Sequence, residues 1–573
     1  MNRRRRRMSV RANTVNPLLR WPLATVSLGA AIAVLPIFLI GVPTDGHDTW
    51  FLIQNLHSFS SQFLGGELYP KWRFDGNNGW GAPTFYVYPP LAYYAGTLFV
   101  WIGKGWFGID RAAAIAIGCS FILSAQTCFI WLRRHVSTTV AVGAALLYVV
   151  APYHLAADLL IRDAYSELWT FPVYPLLLIA IEDREASPWR FVAQASVPLS
   201  LLFMTNMPSA TISILVFSAF ALARRGLTPR FVAMWTCTGL LAVALAAFYV
   251  LPALALKDLV NTDRLMNDPS WSNYRTWYLD SGEFIDRLPG LFRVIVAEIA
   301  VIAGLVGWTW LRHRGRLLSE ASRWPVAMSI ALVVGLYLAT SLSRPLLLMM
   351  PALTHVQFPW RVFAPLTVFA VGLIASLAAE SSRAHLPKAV LTVLVVAWIY
   401  PAFRIIRHTT FGLGPAQVAD ILRSPDDAMW VPRRWSDPLN ETGQIVAVPP
   451  NEPRVVEGEA TATMRREGTA IIVHTIGSSN AVIVVPQLFF PSWKATVDGR
   501  DVPVRACGGK GELAVAVPSG EMSVVLSHRR LPVEIVGLLL SIAGAVAAVG
   551  LWRYPAVTRP ELRGTVNPIE RVN

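Results

Sequence analysis

Apolar runs of membrane-crossing length recur along most of this 573-residue chain, and they fix what it can fold into. A hydrocarbon core about 30 Å thick is crossed by roughly 20 apolar residues in a helix. Within lipid the backbone must satisfy its own hydrogen bonds, so such runs become helices. Twelve candidate spans lie at roughly 22–42, 111–132, 137–156, 168–182, 191–205, 208–223, 231–254, 291–311, 325–342, 362–379, 387–404 and 532–552. Charged residues make up 15% of the chain, against about 25% in an ordinary soluble domain. The expectation is a polytopic α-helical membrane protein.

The formal net charge of +14 would suit a nucleic-acid partner, but its distribution argues otherwise. Basic residues collect in short loops between apolar runs: Arg3 to Arg7, Arg133-Arg134, Arg224-Arg225, Arg312 with Arg314 and Arg316, and Arg553. Short cytoplasmic loops of membrane proteins are enriched in Lys and Arg. No nucleic-acid partner is expected. The first apolar run has no small-x-small cleavage site before the polar loop, so it reads as an uncleaved helix with a cytoplasmic N-terminus. The cysteines carry no metal spacing: Cys119, Cys128 and Cys237 lie in apolar runs, and Cys507 stands alone in a polar segment.

Parity turns on the stretch Leu91 to Trp106. If it crossed the membrane, the basic clusters after it would fall outside. If it lies along the outer interface, all of them fall inside. It is short, follows Pro89-Pro90 and is rich in Tyr and Trp, which favour the interface. It is therefore expected to be an interfacial helix.

The outer face of a plasma (inner) membrane would then carry the loop 43–110, the turn 157–167, the loop 255–290, the turn 344–360 and the segment 405–531. Residues 1–404 form the expected transmembrane domain, 532–552 a last span and 553–573 a cytoplasmic tail. Alternating runs at Ala470 to His474, Ala481 to Val485 and Met522 to Leu526, with turn chemistry at Asp498-Gly499, predict that 405–531 is an extracytoplasmic β-rich, sandwich-like domain.

Three polar clusters fall on that face. In the first outer loop, Asp48 beside His47 can act as general base on a hydroxyl, can hold a divalent cation, or can cap the helix expected from about Thr49 to Phe63. His57, on the same helix, can face a pocket or simply hydrogen-bond at the interface. Trp72, Trp80, Phe85, Tyr86 and Tyr88 can stack on a sugar or form an aromatic belt. In the second cluster, Arg162 with Asp163 and Glu167, the guanidinium fork suits a phosphate. Glu167 can serve as acid or base, orient the arginine or hold a metal, and an Arg162–Glu167 ion pair closing the turn is the alternative. In the third, His355-Val356-Gln357-Phe358-Pro359-Trp360-Arg361, Arg361 can hold a lipid-linked phosphate or snorkel to headgroups. By composition, the Lys257-Asp258 pair and the Trp271, Tyr274, Trp277 run are expected to line a lid. No Walker loop, dinucleotide-binding glycine pattern or GxSxG elbow occurs.

At these residues the chain resembles a known bacterial membrane family, the one labelled 6-pyruvoyl-tetrahydropterin synthase related. The resemblance is carried by Gly46-His47-Asp48, Tyr69-Pro70-x-Trp72, Gly79-x-Gly81-x-Pro83, Tyr88-Pro89-Pro90-Leu91-x-Tyr93-Tyr94, Arg162-x-x-x-x-Glu167-Leu168 and Gln357-Phe358-Pro359-Trp360-Arg361. Leu488 to Gly499 looks like the β-domain of related large bacterial membrane proteins. More widely, the chain is similar to GT-C glycosyltransferases, the fold of oligosaccharyltransferase catalytic subunits and protein mannosyltransferases.

The resemblance implies transfer of a sugar from a polyprenyl-phosphate donor to a glycan, lipid or protein acceptor. It makes Asp48 the base or metal-binding carboxylate, and Glu167 with Asp163 the second acidic position. Thr205-Asn206 departs from the histidine expected after the threonine. A transporter of lipid-linked glycan and a non-catalytic scaffold are the competing expectations.

Overall fold

The computed structural model describes residues 21–183, 185–260, 278–314, 320–350, 353, 356, 358–381, 385–424, 449–508 and 510–554. His355, Gln357 and the Trp271, Tyr274, Trp277 run lie outside the described residues. Among the described residues, eight helices are long and apolar enough to cross a membrane. The pair Pro229–Leu245 and Ala247–Leu259, bent by 81°, makes a ninth if it is counted as one span.

Four of the twelve expected spans do not pass as single straight helices: that bent pair, which falls on the run 231–254, and three others. The run 22–42 is split into Pro22–Ala33 and Leu35–Leu39, because Pro36 has no N–H to continue the first helix. Arg111 donates to the freed carbonyls of Phe38 and Leu39 at 3.2 and 2.7 Å. The run 168–182 yields a helix of ten residues, Val173–Glu182. The run 191–205 yields the longer helix Pro188–Thr205, which is interrupted by polar side chains. Leu91–Ile102 is a helix of 12 residues, too short to cross, as its composition predicts.

Another expectation fails at residues 157–167. In place of a surface turn, the helix Thr138–Val149 leads into a π-helical segment, Pro152–Arg162, whose side chains are almost all buried. Such wide turns are rare and concentrate at functional sites. The segment is anchored from the neighbouring helix Pro289–His313, where Glu298 accepts from Tyr153 N at 2.9 Å and from Thr367 Oγ1 at 3.1 Å.

The basic clusters gather at one end of the bundle. Arg134 donates to the Ile179 carbonyl and Arg225 to those of Ile181 and Asp183, all at the C-terminal end of Val173–Glu182. Arg312 pairs with Glu380 there too, at the far end of Phe363–Ser381 from Arg361.

The β-domain sits at the opposite end. Strands β1 (Arg454–Glu457), β2 (Ala460–Glu467), β3 (Ala470–Gly477), β4 (Ala481–Leu488), β5 (Trp493–Val497), β6 (Arg500–Val502), β7 (Val504–Cys507), β8 (Glu512–Val517) and β9 (Gly520–His528) form two antiparallel sheets. Their orders are β1-β4-β8-β7 and β2-β3-β9-β5-β6. The turn at Asp498-Gly499 joins β5 to β6 with φ of 46° and 79°, the paired left-handed geometry of a tight hairpin.

The loop after the first helix docks on this domain. Trp72 Nε1 donates to Gln487 Oε1 at 3.0 Å, and its ring packs against Trp493 and His528. Gln487 Nε2 donates to the Gly79 carbonyl, and Leu488 N to the Trp80 carbonyl, each at 2.7 Å. Gly81 (φ 85°) allows this approach, since a Cβ there would stand 2.5 Å from Trp72 and from Gln487. Lys71 pairs with Glu534 at the start of the helix Pro532–Arg553, tying the same loop to the last span.

Candidate functional site

The helix Thr49–Leu64 begins immediately after Asp48. Asp48 occupies the cap position but makes no side-chain capping hydrogen bond, so the capping alternative does not account for its carboxylate. The backbone instead locks this corner to the π-helical segment: His47 N donates to the Ile161 carbonyl at 3.1 Å and Asp48 N to the Arg162 carbonyl at 2.7 Å. Gly46 lets the two chains meet, because a Cβ there would lie 2.7 Å from that of Asp163.

Asp48, Tyr88, Arg162, Asp163, Glu167 and Arg361, separated by up to 313 positions in sequence, line one small cavity. Ser166 and Asn206 complete its polar lining. Phe51, Leu52 and Tyr93 supply apolar wall.

Within the cavity the charges are ordered. Arg162 Nη1 donates to Glu167 Oε2 at 2.9 Å and to the Tyr153 hydroxyl at 3.3 Å, and it pairs with Asp158. Tyr153 in turn donates to Glu167 Oε1 at 3.0 Å. Arg162 lies 4.8 Å from the Trp360 ring centroid, a cation–π contact. The Arg162–Glu167 ion pair is therefore present, and the guanidinium is largely committed to carboxylates.

Arg361 is different. Its Nε stands 3.6 Å from Glu167 Oε2 and has no hydrogen-bond partner. Its side chain is 11% exposed, so it turns inward and does not snorkel to the surface.

Burial raises the Asp48 carboxyl above its ordinary range, while Arg162 and Arg361 pull the other way. Burial lowers His47 below the ordinary histidine range, opposed by Asp48. Asp163 is pushed by burial up to about 7, against the Thr49 hydrogen bond that lowers it. Thr49 Oγ1 donates to Asp163 Oδ2 at 2.9 Å, while Asp163 Oδ1 is buried with no partner. That environment leaves the carboxyl partly protonated near neutrality.

Two expected binding residues lie elsewhere. His57 is on the exposed face of its helix, because residues 52, 53, 56 and 59 form the buried stripe at helical spacing. Trp72 is 2% exposed and belongs to the apolar contact with the β-domain, so it cannot stack on a sugar. His47 adjoins the cavity through its backbone but does not line it.

Several polar groups around the cavity carried little sequence signal as site residues. Asp158, Tyr153 and Ser166 are buried at the site, and Glu298 anchors the segment that holds them. A lone carboxylate inside an apolar run, as Glu298 is, was the available clue.

A metal shared by Asp48 and Glu167 does not fit this arrangement. Both Glu167 oxygens are engaged by Tyr153, Arg162 and Arg361. Among the described residues, no group of three His, Cys, Asp or Glu side chains is placed to hold a metal ion.

Solved structures similar to this chain include arabinofuranosyltransferase AftD from Mycobacteria, at 17% identity and a TM-score of 0.40, with 67% of this chain and 27% of that one covered. Another is the apo oligosaccharyltransferase of Archaeoglobus fulgidus, at 12% identity and a TM-score of 0.40, with 73% of this chain and 57% of that one covered. A third is ArnT from Cupriavidus metallidurans bound to undecaprenyl phosphate, at 13% identity and a TM-score of 0.41, with 70% and 77% covered. The chain thus spans about a quarter of the first and just over half of the second. No curated protein matches. The family model for the 6-pyruvoyl-tetrahydropterin synthase related domain, described as a membrane protein, matches residues 85–411, more than half of the chain, and the chain belongs to that family.

Proposed function

We propose that this protein transfers a sugar from a polyprenyl-phosphate-linked donor to an acceptor hydroxyl at the end of the bundle that carries the β-domain, the extracytoplasmic face of a bacterial inner membrane. The convergence of Asp48, Arg162, Glu167 and Arg361 on one cavity carries this reading. The chain's wider resemblance to GT-C glycosyltransferases suggests the reaction class.

In this reading the Asp48 carboxylate takes the acceptor proton. The acceptor oxygen forms a bond to the anomeric carbon as the bond from that carbon to the phosphate oxygen breaks, and its electron pair leaves with the lipid phosphate. Positioned general bases contribute typically 10²- to 10⁴-fold. Arg361 is the better phosphate group, because Arg162 is already held by Asp158 and Glu167. Glu167 then acts as a positioning residue, fixing both arginines. Donors aimed at developing charge are the largest contributors in such sites. A single displacement of this kind inverts the anomeric centre.

The test is transfer from a radiolabelled polyprenyl-phosphate sugar in proteoliposomes holding the purified protein. Asp48→Asn should lower kcat about 10²-fold or more with little change in KM for the donor. Wild-type turnover in well-folded Asp48→Asn would refute the assigned base. Flipping of the labelled lipid without transfer would favour transport instead.

A further inference from the structure

Far from the Asp48 cavity, the helices Val173–Glu182, Pro188–Thr205 and Pro532–Arg553 leave a cleft of about 470 Å³. The first of these helices starts beside the Glu167 turn and ends at Asp183, so the cleft lies at the basic end of the bundle. Its walls are apolar, with Leu176, Val197, Leu201 and Val549 among them.

The rim is polar and basic. Arg134 lines it and is exposed, and one of its five N–H groups donates to the Ile179 carbonyl at 3.2 Å. Arg190 is exposed at the first turn of Pro188–Thr205, with its guanidinium 5.6 Å from the Trp552 ring centroid. Asp183, the rim carboxylate, is already occupied. In the orientation that satisfies both groups, the Gln194 amide nitrogen donates to Asp183 Oδ2 at 3.2 Å and its oxygen accepts from Arg190 Nε at 3.1 Å. Glu185 N donates to Asp183 Oδ1 at 3.2 Å. Trp552, 53% exposed, lines the opening. Tryptophans of this kind sit at headgroup level.

We propose that this cleft binds an anionic glycerophospholipid of the adjoining leaflet, with an acyl chain along the apolar walls and the phosphate on Arg134 and Arg190. Charge selects the occupant: two exposed guanidiniums face a single carboxylate whose oxygens are spent. Basic pockets between membrane helices recognise anionic headgroups on the same grounds. The helix walling the cleft, Val173–Glu182, starts a few residues after the Tyr165–Leu168 turn that carries Glu167.

The test uses the full chain in nanodiscs of phosphatidylcholine containing phosphatidylglycerol, followed by native mass spectrometry of the lipid it keeps. Wild type should retain phosphatidylglycerol in preference to phosphatidylcholine. The double variant Arg134→Gln, Arg190→Gln should hold it roughly 30-fold more weakly. Val197→Trp, which fills the cleft, should lose both lipids. A matched melting temperature certifies the fold of each variant, and the double variant decides the matter if Val197→Trp misfolds. Equal retention of the two lipids by wild type, or undiminished phosphatidylglycerol on the folded double variant, overturns the proposal. Recovery of a polyprenyl phosphate in place of a glycerophospholipid overturns it too.

Discussion

Asp163 shows how one residue type is chosen by two separate demands. Its φ of 54° lies in the left-handed region, which Asp and Asn tolerate better than other residues with a Cβ. Its carboxyl is completely buried and titrates at about 7 rather than at the ordinary 3.8. Because the folded pKa is raised, the favourable neutral form is fully present below the unfolded value and is lost as pH rises through about 7. The wild-type melting temperature in detergent should therefore fall between pH 5 and pH 8, a loss on the order of a few kcal/mol. Asp163→Asn, which keeps the backbone preference and removes the charge, should flatten that slope. An unchanged slope would mean that other groups set it. Trp72 is judged at the same scale: Trp72→Ala should cost about 3–5 kcal/mol, read as a lower melting temperature in which the β-domain loosens first.

At the scale of elements, the π-helical segment Pro152–Arg162 makes the site. It places Tyr153 where its hydroxyl meets both Glu167 and Arg162, and Glu298 holds its first free N–H. Glu298→Leu should leave Tyr153 N unsatisfied, at about 1–3 kcal/mol, and lower transfer roughly 100-fold through misplacement of the arginine pair. Glu298→Gln still offers an oxygen to Tyr153 N and should recover most of that activity. Equal loss in both variants would argue against positioning through this hydrogen bond. The sequence shows an apolar run and then a polar cluster here, which looks like a span and a turn. Only the neighbouring helix, which brings Glu298 within bonding distance, makes a buried wide helix affordable for the backbone.

Across the whole molecule, charge and site separate to opposite ends. Arg134, Arg225 and Arg312 collect at one end, and the cavity and the β-domain occupy the other. If the basic end faces the cytoplasm, a membrane-impermeant maleimide should label Asp501→Cys in intact cells and should leave Arg133→Cys unlabelled until the membrane is opened. Both positions are exposed, so the reverse pattern would invert the proposed sidedness. The loop contacts of Trp72, Gly81 and Lys71 bind the β-domain to the first and last parts of the bundle at once. This fits a domain fixed near the cavity mouth.

By itself the sequence determined that the chain crosses a membrane repeatedly, that the apolar stretch from Leu91 is short, and that a hairpin forms at Asp498-Gly499. These follow from local quantities: apolar run length, the missing N–H of proline, and backbone preference. It also marked Asp48, Arg162, Glu167 and Arg361, because charged groups beside membrane spans are costly unless they serve a purpose. Tertiary structure alone decided how each of those groups is held. Arg162 and Arg361 look alike in sequence, but Asp158 and Tyr153 engage the first, and the second keeps an unpartnered Nε. His57 and Trp72 fell away for the same reason: the direction and burial of a side chain depend on packing partners far along the chain. Residue type sets what chemistry is available, and long-range packing sets where it can be used.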